Sequence, residues 1–154
     1  MLNVSSGAAH HETAYILSAM LAGMRRWANN GIPMANVARL EFDNAPVVRR
    51  DATGQFTSGL RHRTDEHGHA TGGVRYPTID VPVDLFWAIP SDSFPPAWVR
   101  ERMPRTWIEE RYRSVDRWLI LAVSALDRAI ESGTVQAWHR EQYIDFLRGH
   151  VAGR

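Results

Sequence analysis

Leu2-Asn3-Val4-Ser5-Ser6-Gly7-Ala8-Ala9-His10-His11-Glu12 stands at the head of the chain, and its order decides how the rest is read. Leu2 to Ser5 is a short apolar stub able to end a strand, Ser6 to Ala9 is a turn of small residues, and His10 stands where that turn meets the next element. From Glu12 onward apolar residues recur at Ala14, Leu17, Leu21, Met24 and Ala28. That three-and-four spacing predicts a helix with one stripe packed against a core. Gly31 and Pro33 end it in the usual order.

Beyond it, Val37 to Asp43 alternates, with Ala38, Leu40 and Phe42 on one face and Arg39, Glu41 and Asp43 on the other, the pattern of a half-buried strand. Ala45 to Val48 continues or partners it. Between Arg49 and Pro82 the chain is rich in Gly, Asp, Thr and His with little periodicity, which predicts a long ordered loop with short extended pieces. Val81 to Ile89 is apolar and extended, but Pro82 denies it a central place in a sheet. Pro96 is placed to open a short helix through Met103, and Thr106 with Glu109 forms a capping box for another. Ser114 caps a long helix whose inward stripe is Val115, Trp118, Ala122, Leu126 and Ala129, ended by Gly133. A last helix covers Ala137 to Arg148 with Trp138, Ile144 and Leu147 inward. The expected organisation is one segment in three stretches: 1–48 with the His loop, helix and strand, 49–96 with the loop region, and 97–150 with the C-terminal helices.

Composition narrows the chemistry. With 154 residues, one core can bury roughly 70% of the surface of the unfolded chain. A formal charge of +1, without a basic stripe interleaved with aromatics, argues against nucleic acid as a partner. All 18 basic residues are Arg, so lysine Schiff-base and Ser-Lys chemistry are excluded. With no Cys, thiolate nucleophiles and Cys-ligated zinc are excluded too. No apolar run approaches the roughly 20 residues of a membrane span. Nothing in the sequence points to a compartment or to a cofactor.

A strand stub, a tight small-residue turn, a His and then an amphipathic helix is the order in which α/β-hydrolases present their catalytic histidine. Gly7-Ala8-Ala9-His10-His11 resembles that loop. Downstream, Asp65-Glu66-His67-Gly68-His69-Ala70-Thr71-Gly72-Gly73-Val74-Arg75-Tyr76-Pro77, followed by Val81-Pro82, resembles a motif of the bacterial "alpha/beta hydrolase domain-containing" proteins, with His69 where Asn is more usual. Arg111-Tyr112-Arg113-Ser114, the long helix, Gly133 and the final helix are similar to the ending of that set. The resemblance implies an α/β fold class, with this chain as the C-terminal portion: few strands, a long ordered loop and C-terminal helices. It also implies a serine hydrolase acting on small-molecule esters, with His10 as catalytic base and the Ser and acidic residue in an N-terminal half that precedes this segment. No Gly-x-Ser-x-Gly occurs; Thr57-Ser58-Gly59 has Phe56 where the first Gly belongs. On that reading the chain alone is inactive. The rival is a non-catalytic interaction module or a degenerate remnant.

Each candidate also has a bland reading. His10 is a proton shuttle, with His11 as the alternative if the register shifts by one, or else a surface or capping His. Asp65, Gly68, Gly72, Gly73 and Arg75 form either a structural turn or part of the active-site mouth. In the structural version Gly72-Gly73 serves positive φ or a close approach, and Arg75 holds Asp65 or Asp80. His67 and His69, with His62, Asp65 and Glu66 nearby, have metal-ligand chemistry, but a solvated loop is the simpler account and no metal is assigned. The six Trp, several of them around Pro90 to Trp107, line an acyl pocket or fill a core, and exposed aromatic area would mark an absent neighbour.

Overall fold

The computed structural model describes residues 8–42, 48–50, 56–58, 63–89 and 97–152, with side chains from residue 12 outside the strand segments 48–50, 56–58, 86–89 and 97–100. Two compact units emerge, one formed by Met1–Asn36 with Arg75–Arg154, the other by Val37–Val74.

The larger unit is built around α4 (Val115–Glu131). Ser114 caps it as the sequence predicts, its hydroxyl accepting from the Arg117 backbone N–H at 3.0 Å, and Gly133 leaves it at φ +77°. The apolar stripe is the predicted one with Ala125 added: Trp118, Ala122 and Leu126 are wholly buried, Ala125 and Ala129 nearly so, and Val115 packs at the margin. Against it lie α3 (Arg105–Tyr112) through Ile108 and Tyr112, and α5 (Arg140–Val151) through Tyr143, Ile144 and Leu147. α5 follows a short 3-10 turn, Ala137–His139. There the expectation fails at Trp138, which is 67% exposed: the turn's narrower period moves it off the inner face of the helix that follows. No capping box opens α3 either. Pro104 is its N-cap, Thr106 lies inside, and Glu109 accepts from Arg105 Nε at 2.7 Å.

A β-hairpin joins β3 (Asp84–Ile89) to β4 (Ala97–Arg102), antiparallel with Asp84 opposite Arg102 and Ile89 opposite Ala97. The predicted helix from Pro96 to Met103 is therefore a strand; six paired residues outweigh the local signal of a proline start. Pro82 lies outside β3, consistent with its missing N–H. The two carbonyls before β3 are satisfied by side chains: Trp118 Nε1 donates to Val81 O at 2.9 Å and Tyr112 OH to Pro82 O at 2.8 Å. α2 (Pro77–Asp80) is a single turn preceding them.

α1 (Ala8–Asn30) begins four residues earlier than its apolar period suggests, and Gly31 ends it at φ +69°. Its apolar stripe does not face the core. Leu17, Leu21 and Met24 are 51%, 67% and 53% exposed, and Ala14 and Ala28 are exposed too. The inner face is Glu12, Tyr15, Ala19 and Gly23. The apolar period is the expected one, and its direction is the reverse.

In the smaller unit β1 (Val48–Arg50) pairs antiparallel with β2 (Phe56–Ser58). The strand expected over 37–43 is not regular. Glu41 N donates to Thr71 O and accepts, through its carbonyl, from Arg63 N, and Gly73 N donates to Ala38 O, but Gly72 and Gly73 take φ +76° and +68° and interrupt any ladder. Of the remaining expectations, the stub at Leu2 to Ser5, the stretch 43–47 and His62 lie outside the described residues.

Trp118→Ala removes the largest side chain at the centre of the α4 core together with the donor to Val81 O, and should cost about 3–5 kcal/mol. Urea unfolding checks this; a loss below about 1 kcal/mol would show that the core is centred elsewhere.

Candidate active site

His10 is the third residue of α1, so the loop expected to carry it is already helical from Ala8. The side chains of His10 and His11 lie outside the described residues. By helical register, His10 stands four residues before Ala14, seven before Leu17 and eleven before Leu21, which places its position along the outward apolar stripe.

Two residues further on, the register turns inward. Glu12 is 5% exposed, yet it is a carboxylate. Such a group is costly to bury without donors. Two are supplied: Thr78 Oγ1, in α2, donates to Glu12 Oε2 at 2.5 Å, and Tyr143 OH, in α5, donates to Glu12 Oε1. Burial pushes the Glu12 carboxyl above its ordinary value, with the Asp84 charge adding to the effect, while the hydrogen bonds from Thr78 and Tyr143 pull the other way. Burial, reinforced by the Glu12 charge, also raises the Tyr143 hydroxyl, so it remains a donor. Nearby, at the start of β3, Asp84 is 1% exposed and its Oδ2 lies 3.0 Å from Nε2 of the buried His150 in α5. Glu12, Thr78, Asp84, Tyr143 and His150 thus form a polar seam through the larger unit. None was singled out by sequence. Their partners lie 66 and 131 residues from Glu12, and no local pattern announces such pairs.

The Asp65 to Arg75 motif divides between the units. In the smaller one, Asp65 Oδ1 accepts from the backbone N–H groups of His67 and His69 at 2.9 and 3.0 Å, Gly68 takes φ +79°, and Thr64 bridges Ala70. This is a self-capped turn. A Cβ at Gly72 would lie 2.0 Å from Arg39 O, so the expected close backbone approach is present. In the larger unit, Arg75 Nε donates to Asp80 Oδ1 at 2.6 Å, the second of its two anticipated partners. His10 and Arg75 belong to the larger unit, and Asp65, Gly68, Gly72 and Gly73 to the smaller. Among the described residues no group of three or more His, Asp or Glu is arranged to hold a metal ion. Ser58 lies in β2, paired with Val48, rather than at a strand-to-helix turn.

An outward-facing amphipathic helix behind a histidine, with antiparallel strand pairs and C-terminal helices packed around a single long one, is compatible with part of an α/β hydrolase. The family described as "Alpha/beta hydrolase domain" matches residues 3–145, and the chain belongs to it. No curated protein and no solved structure matches.

The raised Glu12 carboxyl has a pH signature. The folded chain keeps that proton to higher pH than the unfolded chain, so the stability it contributes is complete below the ordinary value of 4.5 and is lost as pH rises through the folded value. Glu12→Gln should therefore gain stability relative to the native chain as pH increases from 4.5 towards neutrality. Urea melts across that range at fixed salt measure the gap; a flat or shrinking gap would count against a raised carboxyl.

Proposed function

We propose that the chain is the C-terminal part of a serine hydrolase acting on carboxylic esters, and that His10 is its general base. Membership of the hydrolase family supports a hydrolytic role. The observation that carries the assignment to His10 is the combination of that family match, which spans the residue, with a register that sets it on the outward, unpartnered stripe of α1. A helix so exposed in apolar surface calls for a neighbour. In this reading the rest of the hydrolase core covers the stripe and brings a nucleophile and an acid to the histidine.

The chemistry is acyl transfer. A serine oxygen attacks the ester carbonyl while the imidazole takes its proton, and the proton passes to the departing alkoxide; water then repeats the sequence on the acyl-enzyme. An acidic residue orients the imidazole. This sequence contains no Gly-x-Ser-x-Gly, so both partners are assigned to the N-terminal half. The exposed stripe equally suits a second reading, a non-catalytic module that completes another chain.

Labelling of a native cell extract with a fluorophosphonate, followed by intact-mass analysis of the species that carries these peptides, separates the two. A labelled protein well above 17.5 kDa is expected, and His10→Ala in it should lower the labelling rate by on the order of a thousandfold. An unlabelled species of 17.5 kDa would leave the interaction module as the function.

A further inference from the structure

The two sides of α1 are held by different physics. The inner side meets the core mainly through polar and aromatic groups: Glu12 on Thr78 and Tyr143, Thr13 Oγ1 on Tyr76 OH at 3.2 Å, Ser18 Oγ on His139 Nε2 at 3.1 Å, and the Tyr15 ring against Tyr143 and His139. The outer side is Leu17, Met20, Leu21, Met24 and Trp27, each between 45% and 67% exposed. Burial of apolar surface alone favours the opposite rotation of the helix. Something opposes it, and of the inner polar groups only Glu12 is both an ionisable acid and almost fully enclosed. A carboxylate with two oxygens and donors on two different elements accepts one rotational setting, as single buried polar groups do when they fix register in helical assemblies.

We propose that Glu12 is a positioning residue: its bonds to Thr78 and Tyr143 fix the rotation of α1 so that the apolar stripe, and the position of His10 with it, faces away from the core. Residues two apart on an α-helix are separated by about 200°, so holding Glu12 inward puts position 10 at the opposite register. What His10 then does rests on the hydrolase reading; the rotation itself does not.

Because the chain contains no cysteine, a single introduced one reports which side of α1 faces solvent. Leu21→Cys stands on the 67% exposed side and Ala19→Cys on the 4% exposed side, and their maleimide labelling rates are compared with CD monitoring the fold. With Glu12 in place, labelling at 21 should be fast and at 19 slow. With Glu12→Ala the rate at 19 should rise and that at 21 fall, each by about tenfold, as local exposure exchanges. Glu12→Gln, which retains an acceptor, should restore the native order. Unchanged rates in a folded Glu12→Ala chain would overturn the proposal. Should both rates rise together there, Thr78→Val decides: it leaves the carboxylate short of a donor and should again move the two rates in opposite directions, whereas a parallel rise or no change would overturn the proposal. Absence of fluorophosphonate labelling on the native species that carries these peptides, with the opposed cysteine rates observed, would sink the hydrolase reading alone. Labelling of that native species, with cysteine rates that Glu12→Ala leaves unchanged, would sink the rotation alone.

Discussion

A carboxylate enclosed by two hydroxyl donors is the constraint on which the larger unit turns. Glu12 enters the interior from α1, Thr78 from the single turn of α2, and Tyr143 from α5, so three elements distant in sequence share one point. Burying a charged or chargeable group adds little to stability, and removing one partner is far more damaging than never having had the group. The return is uniqueness. An apolar contact tolerates sliding and rotation, whereas hydrogen bonds to both oxygens of one carboxylate do not. Asp84 and His150 extend the same principle to β3 and the far end of α5.

Legibility in the sequence follows the range of the interaction. α4 was readable in its cap and most of its stripe because those signals are local: Ser114 bonds three residues ahead, and Trp118, Ala122 and Leu126 recur at the helical period. Gly72 and Gly73 were readable for a similar reason, since glycine is the residue that takes positive φ without strain. The β4 strand was not, because its identity is decided by pairing with Asp84–Ile89, and a proline at its head points as readily to a helix. α1 is the instructive case. Periodicity gives the position of an apolar face around a helix but not the element it meets, and the face assumed to be inward is outward. The seam at Glu12, Asp84 and His150 left no trace in local sequence because each member's partner is remote.

The family and the geometry meet at the start of α1. The match to the hydrolase family spans His10 and the whole of α1. The geometry adds that this helix meets its own unit through Glu12, Tyr15 and Ser18 and leaves its apolar side exposed. The Asp65 carboxylate accepts from the backbone of its own turn, and Arg75 pairs with Asp80 five residues on, so both contacts are local. His10 and the exposed apolar stripe are therefore on one helix, and the proposed setting of both rests on the bonds that Glu12 makes to the core.

The separations in that seam carry a consequence for biosynthesis. Glu12 leaves the ribosome 66 residues ahead of Thr78 and 131 ahead of Tyr143. At about 5–20 residues per second, α1 waits on the order of ten seconds for the last of its anchors. Throughout that interval it has a greasy side and an unseated carboxylate side, and contacts of such high order are the slowest to close. Of the elements that meet at this seam, the one made earliest is seated last, and nascent-chain chaperones have a long opportunity at the segment that carries His10.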